Sequence, residues 1–114
     1  MLDGIDPQDF AGRAATATRL LKELANERRL MILCGLAEGE RSVGELADAV
    51  GLGQSALSQH LARLRAAGIV ATRRAGQTIY YRVADHDAAR VIETLAAIYC
   101  PPPAAPKRRR RTPA

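Results

Sequence analysis

The chain has 114 residues, with 17 lysines and arginines against 12 acids, two cysteines and no tryptophan, which is the length of one domain. It contains nothing near the roughly eighteen uninterrupted apolar residues of a membrane span, and its start, Met1-Leu2-Asp3-Gly4-Ile5-Asp6, is acidic where a signal peptide is basic and then apolar. A soluble, cytoplasmic protein with no membrane partner is expected, and 47% apolar residues support a packed core, one small enough to gain from oligomerisation.

Phe10, Ala14, Ala17, Leu21 and Leu24 recur at i, i+4, i+7, i+11 and i+14, which predicts one amphipathic helix opening near Pro7. Asn26 caps a second, central helix through the apolar run from Leu30 to Ala37, ending at Gly39 and holding Cys34 inside it. Ser42-Val43-Gly44-Glu45 fits a capping box that opens a short helix through Val50. After the turn Gly51-Leu52-Gly53, a helix over 54–67 places Leu57, Leu61 and Leu64 on one face and closes at Gly68. Two short helices around a glycine turn predict a helix-turn-helix. The period then changes to that of strands over 69–74 and 78–83, joined by Ala75-Gly76-Gln77 as a two-stranded wing. Asp85 or Asp87 opens a last helix with Val91, Leu95 and Ile98 along one face, stopped after Cys100 by three prolines. The expected fold is mainly α with a small β-hairpin, a winged helix-turn-helix of order α-α-α-α-β-β-α over residues 1–100, followed by a disordered Pro/Arg-rich tail over 101–114.

Charge sorts along this order. Lys107 to Arg111 supply five bases to the tail, and the first hundred residues carry twelve of each sign. Residues 54–84 nonetheless hold Arg63, Arg65, Arg73, Arg74 and Arg82 and no acid, the pattern of a polyanion-binding face. At 100° per residue, the side of the fourth helix opposite its leucines presents Ser55, Ser58, Gln59, Ala62 and Arg63. Gln pairs with adenine edges, Arg with guanine and Ser with base edges or phosphate. Gln54 and Ser55 stand at the helix N-terminus, where free amides favour phosphate. His60 falls beside the apolar arc, which reads as a flank position rather than a ligand or base, and is kept with the DNA-facing set. In the wing, Arg73, Arg74 and Gln77 suit backbone or minor-groove contacts. Tyr80 and Tyr81 alternate, so one is expected to pack inward.

The stretch SVGELADAVGLGQSALSQHLARLRAAGIVATRRAGQTIYYRV, within residues 13–100, resembles the ArsR/SmtB family of dimeric winged-helix transcription regulators. The resemblance implies a homodimer, here through Leu20, Leu21, Leu24, Val91, Leu95 and Ile98 of the first and last helices, that binds an inverted repeat in double-stranded DNA, usually as a repressor. The family's metal sensors carry a Cys-x-Cys in the first helix of the helix-turn-helix or a His/Asp set on the last helix, and this chain has neither, so no metal and no cofactor is expected. The pair Cys34, inside LMILCGLAEGERSVGEL, and Cys100, inside AAIYC, is similar to that of the sulfide-responsive BigR/SqrR-type branch, which senses persulfides through two cysteines.

A buried cysteine is commonly a small hydrophobe, and Cys34 in an apolar helix fits that description, whereas a cytoplasmic dithiol more often signals sensing or catalysis than a permanent bridge. Sensing of persulfides, general disulfide stress, and capture of arsenite or cadmium all remain open for the pair. An enzyme finds little support: there is no phosphate-cradling glycine loop, no paired carboxylates on a helix and no nucleophile partner for either histidine. A protein-interaction winged helix is the third class. The tail, on its proline-rich leash, either adds phosphate contacts or is merely solvated.

Overall fold

The computed structural model describes residues 4–100; the basic tail and its suggested DNA contacts lie outside the described residues. Within them, six helices and three short strands follow in order: α1 (Pro7–Ala11), α2 (Ala14–Leu24), α3 (Glu27–Leu36), β1 (Arg41–Ser42), α4 (Val43–Val50), α5 (Gln54–Ala66), β2 (Val70–Ala75), β3 (Thr78–Val83) and α6 (His86–Tyr99). This is a winged helix-turn-helix.

Three features differ from the sequence expectation. The first amphipathic stripe forms two helices, because the hydrogen-bond ladder breaks at Gly12-Arg13, where the Arg13 amide bonds Phe10 O at 2.8 Å. Glycine is a poor helix residue, and α1 buries no side chain that would compensate for it. The wing also gains a strand: β1 pairs antiparallel with β3, giving a sheet of order β1-β3-β2. The β2–β3 connection is two residues rather than three, with Ala75 opposite Thr78 and Gly76 at φ 63°.

Caps fix the helix starts. Asn26 accepts from the amides of Arg28 and Arg29 at 3.0 and 3.1 Å. Ser42 and Glu45 form the complete capping box, with each side chain taking the other's amide at 3.2 and 2.9 Å. Asp85, not Asp87, caps α6. Gly51 ends α4 in the left-handed conformation at φ 71°, and Gly68 does the same after α5 at φ 78°. The core gathers around Ile32 and Leu33 of α3, Leu46 of α4 and Leu57, Leu61 and Leu64 of α5, all at 0% exposure. Arg29, 5% exposed, donates to the carbonyls of Lys22 and Glu23, so the buried guanidinium satisfies the open end of α2 and sets the α2–α3 corner.

Candidate DNA-facing surface and thiol pocket

Burying three leucines on one side of α5 forces the other side outward. Gln54, Ser55, Ser58, Gln59, Ala62 and Arg63 are all exposed, as are Arg73, Arg74 and Gln77 on the wing. His60 is half buried beside the arginines; burial, then the charges of Arg29, Arg28 and Arg63, holds its imidazole below the usual range. Of the wing tyrosines, Tyr81 packs against the core while Tyr80 lies under Arg73, whose guanidinium carbon is 4.9 Å from the ring centre.

The acid-free segment does not stay acid-free in three dimensions. Arg63 Nε donates to Glu23 Oε1 of α2 at 2.9 Å. Arg73 makes a forked pair with Glu40, Nε to Oε1 at 2.9 Å and Nη2 to Oε1 at 2.8 Å, which holds the Glu40 carboxyl below the usual carboxylate range. These partners are 40 and 33 residues from their arginines, and no local sequence signal announces them.

Cys34 is exposed, not enclosed as the apolar run of α3 suggested. Ile32, Leu33 and Leu36 take the inward face, so the helical period turns Cys34 outward together with Met31. Cys100, the C-cap of α6, is exposed too, and both are free thiols. Both line one open cavity of about 880 Å³, walled by Leu30, Met31, Val50, Ile92, Leu95 and Tyr99 and rimmed by Glu27, Glu38 and Arg41. Partial burial pushes the Cys34 thiol up, and the nearby Cys100 thiol adds to the shift. The fold thus brings together two cysteines that stand far apart in the sequence. Among the described residues, no group of three or more His, Cys, Asp or Glu side chains is arranged to hold a metal ion, and no helix is long and apolar enough to cross a membrane.

Of the six expected dimer residues, Leu24 belongs to the protomer's own core at 3% exposure, Leu20 and Val91 pack against that core, and Leu95 lines the thiol cavity. Leu21 and Ile98 remain 56% and 62% exposed.

Residues 26–72 match the model of the bacterial regulatory protein, arsR family. The transcriptional activator HlyU of Vibrio cholerae is 50% identical over 93 residues, covering 82% of this chain and 86% of that protein. The biofilm growth-associated repressor of Agrobacterium fabrum is 53% identical over 90 residues, covering 79% of this chain and 77% of the repressor. The crystal structure of the transcriptional repressor BigR from Xylella fastidiosa superposes with a TM-score of 0.80 at 45% identity, covering 84% of this chain and 98% of the repressor. With its helix-turn-helix, wing and flanking helices in the same order, the chain belongs to the ArsR family of winged-helix, DNA-binding transcriptional regulators.

Proposed function

We propose that the chain is a homodimeric repressor that binds an inverted-repeat operator and is released when Cys34 and Cys100 react with persulfides to form a disulfide or polysulfide bridge, freeing sulfide-detoxification genes for transcription. The observation that carries this reading is the convergence of the two thiols in one solvent-open cavity. Repression is also what two of the relatives above are named for.

One cysteine of the pair, as its thiolate, attacks the outer sulfur of R–S–SH. The S–S bond of the persulfide breaks, the thiol RSH departs, and that cysteine becomes a persulfide itself. The other cysteine, on losing its proton, attacks the Sγ of the first and expels the outer sulfur as hydrogen sulfide. The balance is two protein thiols and one persulfide giving one disulfide, one RSH and one hydrogen sulfide. If both cysteines first become persulfides, their condensation gives a trisulfide and hydrogen sulfide.

A bridge joins α3 to α6. On the dimer reading, α6 belongs to the subunit contact, so the bridge changes how the two α5 helices are spaced against successive major grooves, about 34 Å apart. A coupling of about 1 to 3 kcal/mol lowers operator affinity 5- to 150-fold. The test is an operator titration before and after treatment with a low-molecular-weight persulfide, paired with intact-mass measurement. Native protein should lose affinity as it bridges. Cys34→Ser and Cys100→Ser should bind as tightly as reduced native protein and ignore the persulfide. Sensitivity that survives in both variants defeats the reading, and a retained metal, or loss of operator affinity under a mild oxidant with no persulfide present, points to a different effector for the same thiols.

A further inference from the structure

The thiol cavity and the wing share one side chain. Arg41 lines the cavity with Cys34 and Cys100, while its backbone is half of the short strand β1. We propose that Arg41 is the positioning residue that carries the state of the cysteine pair into the DNA-facing half of the molecule, an inference that rests on the sensor reading above.

The relay begins at the end of α3. The last carbonyls of a helix lack intrahelical donors and need partners from elsewhere. Here Cys34 O takes the Ala37 amide at 3.1 Å and Leu36 O takes the Gly39 amide at 3.2 Å. Gly35 O has no such local donor and takes Arg41 Nε at 2.7 Å. A guanidinium therefore closes the last turn of α3, at the negative end of the helix dipole, one residue after the reactive Cys34.

That turn has little freedom on its other side. A Cβ on Gly35 would lie 3.0 Å from Leu46 Cδ1 and 3.2 Å from Val50 Cγ1, so the helix rests directly on α4 of the helix-turn-helix. Beyond Arg41 the connection is equally short. Arg41 pairs with Tyr81 and Ser42 with Tyr80 in β3. Glu40, the preceding residue, holds Arg73 of β2 by its forked ion pair, and Arg73 lies on Tyr80. A displacement of the Gly35 carbonyl thus reaches both wing strands through one hydrogen bond and one three-residue segment.

Bridging supplies the displacement. A disulfide constrains the two Cα atoms to within about 7 Å and the torsion about the S–S bond to about ±90°, which free thiols do not have to satisfy. Drawing Cys34 into that geometry rotates the final turn of α3 and redirects the Gly35 carbonyl. Arg41 either follows, moving β1 and with it Glu40 and Arg73, or loses its acceptor and releases them. Both outcomes alter the wing that the sheet presents to DNA.

The experiment uses the full chain with Arg41→Gln, which removes the guanidinium, and Arg41→Lys, which keeps the positive charge at the helix end. Operator affinity is measured for the reduced and the persulfide-treated form of each, bridge formation is read by intact mass, and amide exchange is followed at 40–42 and 80–81. Native protein should lose affinity 5- to 150-fold on bridging. Arg41→Gln should bridge in equal yield yet lose at least half of that ratio on a logarithmic scale, and bridging should no longer change exchange at 40–42 and 80–81. Arg41→Lys should recover part of the ratio. A merely structural role would weaken both forms together and leave the ratio alone. An Arg41→Gln protein that keeps the native ratio overturns the relay and leaves the sensor reading standing. A native protein that bridges without losing affinity overturns the sensor reading, and the relay with it.

Discussion

Leu57, Leu61 and Leu64, the inner face of α5, are all at 0% exposure, while Phe10, Leu21, Ile98 and Tyr99 on α1, α2 and α6 are exposed at 54%, 56%, 62% and 76%. The DNA-facing half closes its own core with leucines from α3, α4 and α5. The flanking helices complete only part of theirs and leave large side chains in water, the condition under which a surface finds a partner. The helix-turn-helix half thus folds on its own contacts, whereas on the homodimer reading the flanking helices are built for a second copy. Cys100 stands at the end of one such helix, so on the proposed sensor reading a sulfur bridge would act on that contact.

One leucine from each half should respond to truncation in opposite ways. Leu61→Ala should cost about 2 to 5 kcal/mol, because it removes buried methyl groups from a site that cannot fully collapse. Leu21→Ala should change the stability of the isolated protomer by less than about 0.5 kcal/mol, since its side chain is exposed there. It should instead weaken self-association. Urea unfolding monitored at low protein concentration gives the first comparison, and sedimentation across a concentration range gives the second. Equal destabilisation of the protomer by both would dissolve the distinction between the halves.

A smaller effect tests how the helix-turn-helix half is started. Ser42→Ala removes one partner of the capping box at the head of α4 and should lower stability by about 0.5 to 2 kcal/mol, measured by the same unfolding. Operator contacts by α5 side chains should survive in the fraction that remains folded. An unchanged midpoint would mean that the β1–β3 pairing alone holds this end of α4.

What the sequence made legible was local. The leucine stripe of α5, the Ser42–Glu45 box and the glycines at 51, 68 and 76 each encode their structure within a few residues, through helical period, cap chemistry or positive φ. That Cys34 and Cys100 line one cavity could be expected only by resemblance, since nothing near either residue specifies the other. Three features were hidden because they depend on distant neighbours. The stripe from Phe10 to Leu24 gave no warning of the break at Gly12, which follows from α1 having nothing to pack against. Leu24 shares its stripe with Leu21 yet lies in the protomer core. Glu23 and Glu40 sit outside the basic segment and fold back onto it.

Glu40 offers the finest test of the two halves, because it stands between them and opposes the charge that the helix-turn-helix half presents. Its carboxylate is held ionised by the Arg73 hydrogen bond, so its folded pKa lies below the usual value and it competes for Arg73 throughout neutral pH. If the wing meets DNA as proposed, phosphate must displace it before Arg73 can contribute a full contact. Glu40→Gln removes the competitor while keeping the side-chain length, so operator binding at low salt should tighten and the salt dependence should steepen by up to about 0.9 in the logarithmic slope, one phosphate's worth. Acidification should act in the same direction on native protein: as pH falls through the depressed Glu40 value, the carboxylate is neutralised and Arg73 is released, a gain absent from Glu40→Gln. A slope identical in the variant and the native protein would place Arg73 outside the DNA contact and leave its ion pair as a tie between β2 and the end of α3.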